Sequence, residues 1–354
     1  MKLVIVTDAW HPQINGVVTT MTRVVARARQ RGFQVELIDP SRFTTVPCPR
    51  YENEIRLAVD VWRIVPMLKQ AAPDFVHIVS EGPLGLAARL WLSFNKIPYT
   101  SAYHTRFPEY VHNLWPVLSV DLGYRVLRRF HANSRAVFVP TASLYDELAH
   151  AGFDHLRLWS RGVDAEQFHP CQRPHGEKLF GHLPQPWFVY VGRVAPEKNL
   201  QAFLQLELPG SKIVVGDGPA REALQQQFPA SHFTGFQSGV TLAGCFAAAD
   251  VFVFPSRTDT FGVVLLEAMA SGTPVVAFPV TGPKDVVMQG KTGFLSENLA
   301  QAALKALQLE RQDCRQHATQ FTWERAADML LDHLAWIPAG KVANANHRPL
   351  PGLQ

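Results

Sequence analysis

The 354-residue chain is short of charge, of cysteine and of long apolar runs. Charged residues make up 18 %, below the roughly 25 % usual in soluble proteins. With 34 basic against 30 acidic residues the net charge is only +4. That excess suits anionic ligands or an anionic membrane surface, and it does not call for nucleic acid. The four cysteines, Cys48, Cys171, Cys245 and Cys314, lie far apart with no Cys-x-x-Cys pair. A disulfide framework and a cysteine zinc site are therefore not expected, and reduced cytoplasmic thiols are. His169, Cys171 and His175 gather in one Pro-rich stretch, too weak a grouping to call for zinc. There is no Asp-x-Asp triplet, no His-Glu-x-x-His and no Gly-x-Ser-x-Gly, so the common metal-diphosphate, zincin and hydrolase signatures are missing. The low-charge window Phe261 to Pro283 is broken by Glu267, glycines and prolines, and it falls short of the ~20 apolar residues of a membrane-spanning helix. The first apolar run, Leu3 to Val6, gives way to Asp8, so no targeting segment is expected and any membrane contact should be peripheral.

The chain does hold globular proportions, with 47 % hydrophobic residues, 23 glycines and 26 prolines, which excludes a disordered, collagen-like or coiled-coil chain. At ~100–200 residues per domain, its length suggests two domains. Short β-branched runs alternate with amphipathic helical patterns. Leu3-Val4-Ile5-Val6, Gln34 to Ile38, Phe75 to Val79 and Ala136 to Pro140 read as strands, with helices over Thr19 to Arg31 and Gly85 to Phe94. The rhythm restarts at Trp187 to Val191 and continues through Lys212 to Val215, Val251 to Phe254 and Pro274 to Phe278. This βαβ order predicts an α/β protein of two doubly wound parallel sheets, with ligands outside the carboxyl ends of the strands and a cleft between the domains. The expected boundaries are a first domain over 1–170, a linker over 171–186, a second domain over 187–322, a last helix over 323–337 and a disordered tail over 338–354.

The richest segment runs from Phe254 through Asp259-Thr260-Phe261-Gly262-Val263 to Glu267 and on to Val276. A strand delivers the chain to a loop, and a helix starting near Phe261-Gly262 would point its free amides and positive dipole end back at that loop, a ready diphosphate site. Asp259 and Glu267, with seven residues between them, cannot share a proton but can grip hydroxyls on either side of a phosphate. The plain alternative is that Asp259 caps the helix and Glu267 is solvated. In Gly192-Arg193-Val194-Ala195-Pro196-Glu197-Lys198-Asn199, a guanidinium and an ammonium five residues apart can clamp two phosphates and stabilise a departing diphosphate. Gly16, in Pro12-Gln13-Ile14-Asn15-Gly16, lets its backbone approach a phosphate or sugar closely. Glu81, which follows the strand bearing His77, is either an acceptor contact or a helix cap.

The Asp259-x7-Glu267 segment resembles the acidic-x7-Glu signature of family 4 glycosyltransferases, retaining enzymes of the GT-B fold with two Rossmann-like domains. The resemblance implies that Asp259 contacts the donor hexose and Glu267 the ribose hydroxyls, while Phe261, Gly262 and Val263 face the hexose and diphosphate. Asp259 departs from the Glu usual at that position, but Thr-Asp-Thr-Phe-Gly resembles a variant found among glycolipid-type members. Arg193 and Lys198 match the family's diphosphate-binding cations, Gly218 its turn near the base, Phe236 its base-side loop, and Gly16 a turn over the donor. His104, in Tyr103-His104-Thr105-Arg106-Phe107-Pro108, is similar to the family histidine that contacts the transferred sugar. Catalytic roles are thereby implied for His104, Arg193, Lys198 and Asp259, and acceptor contacts for Glu81 and Arg106.

The implied activity is retaining, metal-independent transfer of a hexose from a nucleotide-diphosphate sugar, with no further cofactor, to an acceptor hydroxyl. A membrane lipid such as diacylglycerol or a glycolipid is the expected acceptor. A polysaccharide or oligosaccharide acceptor, a GT-B sugar-nucleotide epimerase and a non-catalytic binding module are the alternatives. The base and hexose of the donor stay open. The last helix is expected to pack toward the first domain, as in similar folds. A Trp115-bearing apolar stretch, Val111 to Val120, with Arg125, Arg128, Arg129 and Arg135 after it, is expected to attach the cytoplasmic protein to the anionic inner face of the cell membrane.

Overall fold

The computed structural model describes residues 1–13, 15–48, 56–109, 117 and 119–345. The chain forms two compact units, Met1–Ser160 with the stretch from Glu324 onward, and Arg161–Trp323. Each is built on a parallel sheet.

In the first unit the strands are β1 (Lys2–Val6), β2 (Gln34–Ile38), β3 (Thr45–Pro47), β4 (Arg56–Ala58), β5 (Phe75–Ile78), β6 (Thr100–Ala102), β7 (Val137–Val139) and β8 (Leu156–Leu158). Six of them form one sheet in the order β2-β1-β5-β6-β7-β8, and β3 and β4 pair antiparallel beside it. β1 lies between β2 and β5 with Leu3 opposite both Val35 and Phe75. Alternate residues of β1 therefore serve two cores. Leu3 and Ile5 pack with Met21 and Val24 of the helix Gly16–Gln30, and Val4 and Val6 pack with Ile64, Leu68 and Trp91 on the other face. Burial on both faces is why this strand is a continuous apolar run.

The second unit repeats the plan with β9 (Trp187–Val191), β10 (Ser211–Val215), β11 (His232–Gly235), β12 (Val251–Phe254), β13 (Val275–Ala277) and β14 (Gly293–Leu295), ordered β11-β10-β9-β12-β13-β14. Val189 and Val191 face a core with Phe180, Phe246, Leu265 and Met269, while Phe188 and Tyr190 face another with Phe203, Leu204 and Ala303. In both sheets the strand order reverses once, between β1 and β5 and between β9 and β12. At such a reversal the crossover helices leave on opposite faces, which opens a crevice at the strand ends.

Three expectations need correction. The division falls at Ser160/Arg161 rather than after residue 170. Residues 171–186 are not a free linker, because Arg173–Phe180 is a helix whose Phe180 is fully buried in the second unit's core. Residues 338–345 do not lie unpacked, since Val342 joins the first unit's core beside Ile337, whose amide donates to Asp74 O at 2.9 Å. Residues 346–354 are outside the described residues, as are Trp115 and most of the expected membrane-facing stretch. The helix Trp323–Leu331 buries Ala326, Ala327, Leu330 and Leu331 and lies almost wholly in the first unit. Asp328 of this helix receives a two-pronged bond from Arg27, at 3.1 and 3.0 Å. Among the described residues, no helix is long and apolar enough to cross a membrane.

The helix Arg173–Phe180 meets the helix Gly239–Ala248 through two glycines. A methyl on Gly176 would run into the Gly244 carbonyl, and one on Gly244 into the Gly176 amide. Gly176→Ala is therefore expected to destabilise the second unit by about 1–3 kcal/mol, read as a lower denaturant midpoint. An unchanged midpoint would show that these helices are not held at backbone contact.

Candidate active site

In the second unit, the loops that follow adjacent strands are laced together. The Gly192 amide donates to Val215 O at 3.0 Å, Val194 N to Asp217 O at 2.9 Å and Gly216 N to Gly235 O at 2.9 Å. Gly218 lies against the Val194 backbone at a φ of +153°, where a side chain would collide with the Val194 carbonyl. Its glycine identity thus holds the β10 loop against the Arg193 loop. Across the strand-order reversal, Asn199 Nδ2 donates to Pro255 O at 3.1 Å, and Lys198 Nζ donates to Asp259 Oδ1 at 2.7 Å. Arg193 Nη1 donates to Glu197 Oε1 at 3.0 Å within its own loop, and Tyr190 OH fixes the Arg193 carbonyl at 2.8 Å.

Lys198, Arg193 and Asp259 thus come together at the carboxyl ends of β9 and β12. Each remains a quarter or so exposed, at 23, 28 and 22 %. The second oxygen of Asp259 is buried and has no hydrogen-bond partner among the described residues. A buried carboxylate oxygen left unpaired is costly, and a ligand hydroxyl would relieve it. The helix Val263–Ala270 begins directly after Gly262, which takes a φ of +82°, and no side chain caps it. Asp259 is thus not its cap. Phe261 is buried in the core, so only its backbone can face a ligand, whereas Val263 is half-buried and Phe236 is 55 % exposed. Glu267 is not a solvated side chain either. It is half-buried, and loss of solvent pushes its carboxyl up to about 7.

The reversal in the first unit is closed differently. The Asp8 carboxylate accepts from Leu84 N at 2.8 Å, Gly85 N at 3.2 Å and Ser80 Oγ at 2.9 Å, so it caps the helix Pro83–Phe94. Burial pushes its pKa up to about 6. Glu81 is therefore not the cap. Gly16 opens the helix Gly16–Gln30 behind the Asn15 cap, and a methyl there would meet nothing within 4 Å. The protein itself does not demand glycine at that position.

Glu81 instead faces His131, with Oε1 3.3 Å from Nε2 and both side chains almost completely buried. The Ala136 carbonyl can only accept, so Ser134 Oγ donates to it at 2.7 Å. Ser134 then accepts from Ser101 Oγ at 3.0 Å, and Ser101 accepts from His131 Nδ1 at 2.8 Å. These bonds hold the imidazole with Nε2 turned to Glu81. Glu81 Oε2 is buried with no partner among the described residues. Arg106 is committed to Glu147 and, at 3.4 Å, to Glu109, and Tyr124 OH stands within hydrogen-bond distance of the same two carboxylates, with one proton to give. His104, following β6, packs its ring against Trp159. His77 does not reach any site. It is fully buried, bonded to Thr100 Oγ1 at 3.0 Å, and pushed down to about 3 by burial. His169 Nδ1 accepts from Cys171 N, and no metal-holding cluster occurs among the described residues.

Residues 14–167 match the model described as Glycosyltransferase Family 4, and residues 185–310 the one described as Glycosyl transferases group 1. The chain belongs to the family 4 glycosyltransferases. This glycosyltransferase is 34 % identical to sulfoquinovosyl transferase SQD2 of Arabidopsis thaliana over 70 % of its own length and 52 % of that protein's, so it spans about half of that relative. It is 28 % identical to a GDP-mannose-dependent alpha-mannosyltransferase of Mycobacterium tuberculosis, over 98 and 99 % of the two chains. Identity to the alpha-monoglucosyldiacylglycerol synthase of Acholeplasma laidlawii is 25 %, over 84 and 85 %. Its GT-B fold is shared with Anabaena Alr3699/HepE in complex with UDP-glucose, at a TM-score of 0.73 and 19 % identity over 94 and 98 % of the chains.

Glu267 makes the stability of this glycosyltransferase pH-dependent. The folded carboxyl titrates near 7 against 4.5 in its ordinary state. Between those values the native chain binds a proton that the unfolded chain does not, so stability falls as pH rises across that window. In Glu267→Gln that fall should flatten. Melting curves at pH 5, 6 and 7.5 with equal slopes for both proteins would rule out the buried state of the carboxyl.

Proposed function

We propose that the protein is a retaining, metal-independent hexosyltransferase that takes its hexose from a nucleotide-diphosphate sugar and places it on a hydroxyl of a membrane lipid. The carrying observation is the strand-order reversal of the second unit. On the β9 loop there, Lys198 is bonded to Asp259, whose second oxygen is buried and unpaired among the described residues, and Arg193 is paired with Glu197. Lys198 and Arg193 would bind the donor's diphosphate and stabilise its departure, assisted by the uncapped amides of the helix Val263–Ala270. Asp259 Oδ2 would accept from a hexose hydroxyl, and Glu267 from the ribose. Binding of the diphosphate requires Lys198 and Arg193 to exchange Asp259 and Glu197, in part, for phosphate oxygens.

The acceptor would bind the first unit, with His104 against the transferred sugar. No carboxylate is assigned as a nucleophile, and front-face attack within an ion pair fits the retaining reading. Metal independence is supported by Arg193 and Lys198, two cations that would neutralise the diphosphate in place of a divalent ion. A lipid acceptor is supported by the likeness to a glucosyldiacylglycerol synthase and by the helix Val120–His131. That helix exposes Leu122 and Val126 beside Arg125, Arg128 and Arg129, a pattern suited to an anionic interface.

Incubating the protein with a panel of sugar nucleotides and membrane lipids, with products read by mass spectrometry, tests this function directly. A glycolipid product retaining the donor's anomeric configuration, formed in the presence of chelator, is the expected result. Arg193→Ala and Lys198→Ala should each lower turnover by roughly 100-fold or more if they act as oxyanion-hole donors do. Glu267→Ala should weaken nucleotide binding in calorimetry, and wild-type affinity should rise as pH passes 7 and the carboxylate ionises. Arg128→Glu with Arg129→Glu should reduce salt-sensitive co-sedimentation with anionic liposomes. A protein that ignores such liposomes yet glycosylates a soluble oligosaccharide would shift the acceptor from lipid to glycan.

A further inference from the structure

We propose that Trp159 is the positioning residue for His104, and that the chain's last helix holds it in place. The inference rests on the role given to His104 above. Trp159 follows β8 and is completely buried. Its ring meets His104 edge to face, with centroids 5.4 Å apart and planes at 70°. On its other sides it meets Phe138 at 5.7 Å and His77 at 6.2 Å. The indole is pinned at both ends. Its backbone amide donates to Val139 O at 2.8 Å, and Nε1–H donates to Ala326 O at 2.8 Å in the helix Trp323–Leu331.

An imidazole on a loop has a broad, roughly two-fold freedom about its terminal torsion. A fixed aromatic wall at 5.4 Å removes much of it and selects one ring plane. The wall acts only through its own fixity. The N–H bond to Ala326 supplies that, and the aromatic contacts to Phe138 and His77 brace the remaining faces. Ala326 lies beyond the two spans, 14–167 and 185–310, that carry the family match. The orientation of a motif residue thus depends on a helix outside both spans. The same helix ties back to Gly16–Gln30 through Arg27 and Asp328, so one element supports the His104 loop and the helix that follows Gly16.

A double-mutant cycle separates this role from simple stability. Trp159→Leu removes the wall, whereas Trp159→Phe keeps an aromatic face and loses only the N–H bond. With the sugar nucleotide and acceptor that give turnover, Trp159→Leu should lower kcat by roughly 10- to 100-fold, as small misplacements of reacting groups do, and Trp159→Phe should recover part of it. Affinity for the free nucleotide, measured by calorimetry, should not change. In a His104→Ala background Trp159→Leu should cost nothing more, because the residue it positions is gone. Equal losses in both backgrounds, or full kcat in a folded Trp159→Leu protein, overturn the proposal. If Trp159→Leu does not fold, the same cycle is run with Trp159→Phe, and additivity there overturns it as well. The ring resonances of His104, identified by their disappearance in His104→Ala, give a readout that needs no turnover. They should shift in either Trp159 variant, and an unmoved signal contradicts the contact. Unchanged turnover in His104→Ala alone would instead remove the role assigned to His104, a result distinct from failure of the Trp159 coupling.

Discussion

The chemistry of both units depends on one constraint of parallel sheets, which deliver every strand-to-helix loop to the same edge and leave a gap where the strand order reverses. Each gap is bridged by an aspartate, but the two bridges differ in kind. Asp8 spends its carboxylate on two backbone amides and a serine hydroxyl, groups that do not move without unwinding a helix start. Asp259 spends one oxygen on a lysine ammonium and leaves the other unpaired among the described residues. A lysine on a four-carbon stem can turn to a phosphate without disturbing the backbone. One reversal is therefore sealed by its own chain, and the other is held by a contact that a ligand can replace.

The sequence exposes this architecture unevenly, and the pattern has a physical basis. Strands such as Leu3 to Val6 and Trp187 to Val191 are legible because burial on both faces leaves no polar position in the run. The helix Arg173–Phe180 is illegible because Pro174, His175 and Gly176 are poor helix formers, and its stability comes from glycine-to-glycine packing on a helix more than sixty residues away. Short strands such as β8 and β14 have only three residues and partly exposed sides, so no periodicity can develop. The same distinction governs the site. Arg193, Lys198, Asp259 and Glu267 show in local spacing. Asp8, His131 and Trp159 do not, because their partners lie 72, 50 and 167 positions away. Glu197 was within reach as an acid four residues after Arg193, a spacing that commonly pairs charges.

The return of the last helix to the first unit bears on how the molecule is made. A nascent chain delivers β1 through β8 long before residues 324–331 exist. Through that interval Trp159 Nε1 lacks the Ala326 carbonyl, and the sheet face bearing Leu3 and Ile5 lacks Ala327 and Leu330. The entire second unit must emerge before the first can close. Since domains generally fold in the order of synthesis, this chain inverts the usual schedule: the unit begun first can be finished only after the second has been made.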